Sequence, residues 1–207
     1  MEYKIIDRSR WKREEYFAHY FSAVPCTYSM TTKLDITNLR AQRRKLYPTL
    51  LYLLTRTVNR YEQFRMDFNK TGQLICYSGM EPSYTVFHRE SETFSNLWTK
   101  YTDDYTDFCR RYEEDLLQYG NVEGFQAKPN PPKNSFPVSM IPWTGFEGFN
   151  LNLSDFSYLL PIFTIGKFYE ENGKTCLPLA MQVHHAVCDG FHASRFLNDL
   201  QAQITAF

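Results

Sequence analysis

The sequence lacks the features that mark membrane, secreted and nucleic-acid-binding proteins. It has no run of about 18 apolar residues, so it predicts no membrane-spanning helix. The N-terminal stretch MEYKIIDRSRWKREEYF mixes charges and has no apolar core, so we expect no secretory signal and a cytoplasmic location. The 23 Lys and Arg balance the 23 Asp and Glu, so no basic excess indicates nucleic-acid binding.

The cysteines and glycines do not fall in the usual metal and phosphate motifs. No CxxC pair suggests zinc, and no glycine-rich phosphate loop is present. An odd, scattered set of thiols fits a reducing cytoplasm better than a disulfide framework. The set is Cys26, Cys76, Cys109, Cys176 and Cys188. We therefore expect neither disulfides nor a bound metal.

Aromatic residues, in contrast, are abundant. The chain has 17 Phe and 15 Tyr, and aromatic residues make up 17% of its 207 residues. Most are expected in the core, and a subset could line a pocket for a flat organic ligand. The length and the hydrophobic content of 43% predict a single domain over residues 1–207.

Hydrophobic periodicity predicts helices and strands that intermingle along the chain. Helices are expected over 11–21, 47–61, 101–119 and 191–204, strands over 26–36, 74–78 and 83–88, and extended segments over 138–143 and 149–153. A hairpin from 161 to 185 should turn at Asn172-Gly173. Within 26–36, one predicted face holds Tyr28, Met30, Thr32 and Leu34, and the other holds Ser29, Thr31, Lys33 and Asp35. The class is α/β or α+β in two layers.

One stretch, QVHHAVCDGFH, holds three of the five histidines. The predicted strand, turn and helix place His184, His185 and Asp189 at a strand-to-helix junction, where reactive groups are often presented. A neutral imidazole can take a proton from a hydroxyl and later return it. A nearby aspartate can orient that ring or organise the turn, and Gly190 allows close backbone approach.

The spacing alone leaves other roles open for these histidines. Adjacent residues of a strand point to opposite faces, so only one imidazole can face a given site. A single strand histidine is often a hydrogen-bonded structural residue. Metal binding is disfavoured because the remaining candidates, His19 and His88, are distant and show no ligand spacing.

The stretch HHAVCDG matches the pattern HHxxxDG, and it thereby resembles the signature motif of the coenzyme-A-dependent acyltransferases. The longer QVHHAVCDGFH, with WKREEYF, PCTYSMTTKLDIT, KLYP, YTVFH, ETFSNLW, VSMIPW, FNLNL and LPLAMQVHH in order, resembles the chloramphenicol acetyltransferase family over about residues 5–204. The resemblance implies a two-layer sandwich with a mixed sheet covered by helices. It also implies acetyl transfer from acetyl-CoA to the primary 3-hydroxyl of chloramphenicol, and hence antibiotic resistance.

The resemblance assigns the catalytic roles. His185 would be the general base in a direct transfer within a ternary complex, and Ser139 would donate a hydrogen bond to the oxyanion. Asp189 would be structural and pair with Arg13. Cys188, which lies close to the base, would be a packed small residue and not a nucleophile.

The resemblance also assigns binding residues. The antibiotic pocket would comprise Tyr20, Cys26, Leu151, Leu153, Ile162 and Thr164, with Tyr20 bonding the ligand and Thr164 an ordered water. Phe125 and Phe136 could join this wall, although the 120–137 loop differs in length from relatives. Lys45 and Lys167 would lie near the coenzyme A phosphates, and Phe168, often tyrosine in the family, would stack on adenine. A homotrimer is implied, with the histidine of one subunit facing its neighbour's pocket.

Three alternatives stand beside this prediction. An acyltransferase of the same fold could use another acceptor, as dihydrolipoamide acyltransferases do, but those chains usually carry lipoyl modules. A protein could sequester the drug or coenzyme A without turnover, yet His185, Asp189, Arg13 and Ser139 are all present. No positive feature of the sequence favours a purely structural trimer.

Overall fold

A mixed seven-stranded sheet dominates the protein, whose computed structural model describes residues 2–42 and 44–207. The strands are β1 (Tyr3–Ile5), β2 (Thr27–Asp35), β3 (Met66–Phe68), β4 (Leu74–Tyr77), β5 (Glu81–His88), β6 (Thr93–Trp98), β7 (Ser135–Met140), β8 (Ile162–Ile165), β9 (Tyr169–Glu171) and β10 (Lys174–His184). The helices are α1 (Glu14–Ala18), α2 (Thr37–Ala41), α3 (Leu46–Arg60), α4 (Tyr105–Tyr119) and α5 (Gly190–Ala206).

The large sheet has the order β2-β10-β8-β7-β5-β6, and β9 pairs with β10. Strand β7 runs parallel to β5 and β8, whereas β10 is antiparallel to β2, β8 and β9. A separate sheet, β1-β4-β3, was not predicted from the sequence. The mixed sheet with packed helices confirms the predicted fold class.

The two faces of the sheet follow the predicted alternation of β2. Tyr28 pairs with Val183 and Leu34 with Leu177, so the apolar side chains of β2 and β10 share one face. That face enters the main core, which includes residues of α3, α4 and α5. Helix α3 is suited to this position because Pro48 lies in its first turn and most of its side chains are buried.

The opposite face carries a row of small and polar side chains. Ser139 of β7 pairs with Thr164 of β8, and Thr164 pairs with Ala180 of β10. Gln182 and Ser29 are cross-strand partners on this same face. The site described below lies along this row.

Several element boundaries differ from the predictions. The first helix begins at Glu14, and a wider π turn over His19–Ala23 continues it. Helix α4 begins at Tyr105 because Asp104 caps it, accepting from the backbone N of Asp107 at 2.9 Å. The tight turn of the hairpin is confirmed, with positive φ of 52° at Asn172 and 75° at Gly173.

The extended segment predicted over residues 149–153 does not form a strand. These residues belong to a long irregular segment between β7 and β8. Their backbone donors at Phe149 and Leu151 are bonded by side chains of the sheet, so no strand ladder forms there. In residues 2–42 and 44–207, no helix combines the length and apolar character needed to cross a bilayer.

Candidate active site

The turn between β10 and α5 is built around His184, the last residue of the strand. Its Nδ1 accepts from the backbone N of Ala186 at 3.1 Å, and its carbonyl accepts from Cys188 at 3.0 Å. His184 is 1% exposed, and burial lowers the pKa of its imidazole. A neutral ring is required for Nδ1 to accept, so this histidine has the structural role that the sequence left open.

His185 is the first residue beyond the strand, and its side chain is partly exposed. Its backbone N donates to the carbonyl of Cys26 at 3.0 Å. The Tyr20 ring stacks on its imidazole at 3.7 Å between centroids and 14° between planes, and the Tyr28 ring meets it edge-on at 5.4 Å. Two tyrosines therefore fix the plane of the ring at the end of the sheet.

Arg13 and Asp189 form a two-pronged ion pair beside this imidazole. The guanidinium donates to the two Asp189 oxygens at 2.5 and 3.0 Å. These bonds hold the pKa of Asp189 below its ordinary value. The distance from His185 Nδ1 to Asp189 Oδ1 is 3.4 Å, which is longer than a good N–H···O hydrogen bond. The carboxylate is therefore bound to Arg13 first and lies only near the imidazole.

Two residues that support this cluster were not predicted from the sequence. The backbone N of Asp189 donates to Nδ1 of His192 at 3.1 Å, and burial lowers the pKa of His192. The Tyr28 hydroxyl donates to the carbonyl of Cys188 at 3.1 Å. The signal for His192 was its position three residues after the helix-capping Asp189, where a side chain can reach back to the cap.

Cys188 lies within the turn and is completely buried. Burial raises the pKa of its thiol to about 12. Because the thiolate is the nucleophilic form of cysteine, this environment is suited to packing and not to attack on an acyl group.

Ser139 lines a separate cavity of about 540 Å³. Predicted wall residues Thr164 and Leu151 line it with Ser139, together with Met140, Phe149 and a set of aromatic side chains. The aromatic set is Tyr47, Phe87, Phe94, Tyr112 and Trp143. A cavity of this size with few polar groups is typical of a site for an organic ligand.

The remaining predicted wall residues are divided between the two regions. Ile162 joins Thr164 and Leu151 around a small void of about 10 Å³, and Leu153 is half-buried in the irregular segment. Tyr20 and Cys26 lie with His185, as described above. The wall position suggested for Phe136 is wrong, because Phe136 is fully buried in the core against Phe163. Phe125 is exposed and contacts Phe94, which lines the cavity.

The residues predicted to contact coenzyme A are at the surface or near it. Lys45 is exposed and pairs with Glu113 at 2.7 Å, two residues before the cavity-lining Tyr47. Lys167 is exposed, and the neighbouring Phe168 ring has the Arg40 guanidinium 4.6 Å from its centroid. Arg40 is a basic neighbour that sequence reasoning missed. In residues 2–42 and 44–207, no group of three or more acidic, His or Cys side chains could hold a metal ion.

Ser139 and His185 of one chain lie too far apart to contact the same reacting group. Ser139, Thr164 and Ala180 occupy one row across three strands, and His185 comes five residues after Ala180. Strand geometry gives roughly 16 Å along the sheet and about 10 Å across it, hence about 19 Å between the Cα atoms. The two side chains therefore lie in separate regions of the described chain.

Comparison with known proteins identifies the family. The family model for chloramphenicol acetyltransferase matches residues 1–201. The chloramphenicol acetyltransferase of Vibrio anguillarum is 60% identical over 202 residues, which cover 97% of this chain and 94% of that protein. The family resemblance predicted from the sequence is therefore confirmed.

Solved structures show the same fold at lower sequence identity. A chloramphenicol acetyltransferase superposes with a TM-score of 0.81 and 20% identity, covering 98% of this chain and 100% of its own. A dihydrolipoamide acetyltransferase of Azotobacter vinelandii gives 0.69 and 18%, covering 92% and 85%. The shared fold does not separate the two kinds of acyltransferase, but the matched family model and the 60% identical relative do. The chain belongs to the chloramphenicol acetyltransferase family.

Proposed function

We propose that this protein transfers the acetyl group of acetyl-CoA to the 3-hydroxyl of chloramphenicol and so inactivates the antibiotic. The observation that carries the proposal is the partly exposed imidazole of His185, held at the end of the sheet beside the Arg13–Asp189 pair. Such a ring can accept a proton from a hydroxyl that approaches from solvent or from a neighbouring subunit.

The transfer takes place directly in a ternary complex. His185 removes the proton of the hydroxyl as its oxygen attacks the thioester carbonyl, and the carbonyl electron pair moves onto oxygen. Ser139 donates a hydrogen bond to that oxyanion. The tetrahedral intermediate then re-forms the carbonyl and breaks the C–S bond, and the proton on His185 passes to the departing sulfur. The products are 3-acetylchloramphenicol and the free thiol of coenzyme A.

The complete site is formed between copies of the chain. A general base and an oxyanion donor must each lie within about 3 Å of the group they serve, whereas Ser139 and His185 of one chain are about 19 Å apart by strand geometry. His185 of one subunit therefore faces the cavity lined by Ser139 in its neighbour. A closed ring of identical subunits satisfies this arrangement, and we propose a homotrimer.

In this complete site, the predicted binding residues contact chloramphenicol and coenzyme A. The antibiotic wall comprises Tyr20, Cys26, Leu151, Leu153, Ile162 and Thr164. Lys45 and Lys167 serve the coenzyme phosphates, and Phe168 stacks on adenine with Arg40 beside it. All five cysteines lie in the described part of the chain and are free thiols, which supports a cytoplasmic location.

The test is thiol release from acetyl-CoA, followed colorimetrically with and without chloramphenicol. Chloramphenicol-dependent release is the expected result, with acetylation at the 3-hydroxyl confirmed by mass spectrometry and NMR. Binding of coenzyme A without release would mean that the protein uses another acceptor. Release that requires no acceptor would contradict the direct-transfer mechanism.

The Arg13–Asp189 pair should behave as one energetic unit. Asp189→Asn should lower kcat because it loosens the turn that carries His185, and Arg13→Val should lower it by a similar factor. The double variant should lose no more than the worse single variant, because coupled residues are not additive. A double-mutant cycle on kcat and on the melting temperature measures this, and fully additive losses would contradict the pairing.

The same pair has a defined pH dependence. The pKa of Asp189 is lowered, chiefly by hydrogen bonds from Arg13, so the folded state favours the charged carboxylate. Its contribution to stability is present above the ordinary carboxyl pKa and is lost as the pH falls through the lowered value. The melting temperature of the wild type should therefore fall further than that of Asp189→Asn when the pH is lowered from neutral.

A further inference from the structure

Part of the acceptor wall is attached to the sheet by a set of polar side chains that we call the clamp, namely Ser29, Thr31 and Gln182. The clamp bonds three consecutive residues of the irregular segment between β7 and β8. The contacts are Phe149 N to Thr31 Oγ1 at 3.3 Å, Ser29 Oγ to Asn150 Oδ1 at 2.6 Å, and Leu151 N to Gln182 Oε1 at 3.0 Å.

Gln182 is the buried member of the clamp. It is 5% exposed, and Ser29 is its cross-strand partner. Because the backbone N of Leu151 is a donor, the carbonyl end of the Gln182 amide must face it. The amide Nε2 then points away, is buried, and has no hydrogen-bond partner among residues 2–42 and 44–207. Gln182 also borders the small void shared with Leu151 and Thr164.

The clamp acts on residues that shape the large cavity. Phe149 and Leu151 line the 540 Å³ cavity with Ser139, yet this segment has no strand ladder to hold it. Apolar contacts alone are not directional, so they would let the segment slide along the sheet. Hydrogen bonds to a fixed strand determine both its distance and its register.

We propose that Gln182, supported by Ser29 and Thr31, is a positioning residue that determines how the acceptor fits against Phe149 and Leu151. The inference rests on the proposed function, because it names the part of the acceptor site that the clamp controls. It gives the polar face of β2 and β10 a role in acceptor binding that is separate from the proton transfer at His185.

The test is Gln182→Met, which keeps the length of the side chain and removes the acceptor for Leu151. The KM for chloramphenicol should rise about tenfold, as expected for loss of one well-placed anchor. The kcat and the KM for acetyl-CoA should stay within about twofold, because a positioning role in acceptor binding leaves the base and the oxyanion donor in place. Ser29→Ala should shift the same parameter in the same direction by a smaller factor.

Gln201→Met is the matched control. Like Gln182, Gln201 accepts from a backbone N, that of Asp35 at 2.8 Å, and it further donates to Asp35 O at 3.0 Å. It lies on α5 against Asp35, the last residue of β2, and does not line the cavity. This variant should lower the melting temperature without changing the KM for chloramphenicol.

The outcomes separate the clamp from the proposed function. An unchanged KM in folded Gln182→Met, or an equal rise in Gln201→Met, would overturn the clamp. If Gln182→Met does not fold, Ser29→Ala decides, and an unchanged KM there overturns the proposal. If wild-type protein released no thiol, the proposed function would fail, and the dissociation constant of chloramphenicol, measured by calorimetry on the same variants, would still report on the clamp.

Discussion

Replacing His185 with glutamine should lower kcat by about 10²- to 10⁴-fold, the range that a positioned general base contributes. Glutamine can occupy the space of the imidazole but cannot accept a proton at neutral pH. Tyr20 and Tyr28, which pack on the His185 ring, lie outside the turn. Replacing the imidazole should therefore not unfold the turn. The dissociation constants of chloramphenicol and coenzyme A should therefore change little while turnover is lost.

His88→Gln is the matched control for this variant. The Nε2 of His88 contacts Ser95 Oγ at 2.7 Å, at the β5–β6 edge of the sheet and away from β10. Its kcat should equal that of the wild type. Retention of more than roughly a tenth of wild-type kcat by His185→Gln would contradict the general-base role.

Ser139→Ala has the second-largest expected effect, a loss of about 10²- to 10³-fold in kcat with little change in either KM. In the proposed mechanism the hydroxyl donates only to the oxyanion of the tetrahedral intermediate, which does not exist in the ground-state complex. An interaction made only in the transition state affects turnover and not binding.

Ser135→Ala tests whether the loss is specific to the position. Ser135 lies on the same strand, β7, but its hydroxyl donates to the carbonyl of Pro132 at 2.7 Å. This variant should keep wild-type kcat. A rise in KM with unchanged kcat for Ser139→Ala would mean that Ser139 binds substrate and does not stabilise the oxyanion.

Local patterns in the sequence predicted the parts of the fold that depend on near neighbours. The alternation along 26–36 predicted the two faces of β2, and the register Tyr28 to Val183 confirms them. Asn172-Gly173 predicted the tight hairpin turn because both residues tolerate positive φ. The strand, turn and helix of QVHHAVCDGFH predicted where His185 and Asp189 lie.

The features that the sequence could not predict depend on residues distant along the chain. The 149–153 segment is extended, but its backbone bonds to the side chains of Thr31 and Gln182 and not to the backbone of a neighbouring strand. Phe136 matched the composition of a pocket wall, yet the sheet places it in the core against Phe163. Hydrophobicity predicts that a residue will be buried, but it does not predict which part of the fold buries it.

The family resemblance supplied what neither composition nor periodicity contained. No pattern in the sequence relates Ser139 to His185 or Arg13 to Asp189. The structure brings Arg13 to Asp189 across 176 positions of the chain, and it leaves Ser139 and His185 in separate regions. The proposed mechanism accounts for the second arrangement with a site shared between copies, and this shared site is its central claim.

The most direct test of that claim is the activity of mixed assemblies of His185→Gln and Ser139→Ala subunits, prepared by co-refolding equal amounts of the two nearly inactive variants. In a closed ring with shared sites, about a quarter of the sites receive a wild-type His185 from one subunit and a wild-type Ser139 from its neighbour. The mixture should therefore show about a quarter of wild-type thiol release. Activity no higher than the mean of the two variants measured separately would show that both residues act within one chain, and would contradict the shared site.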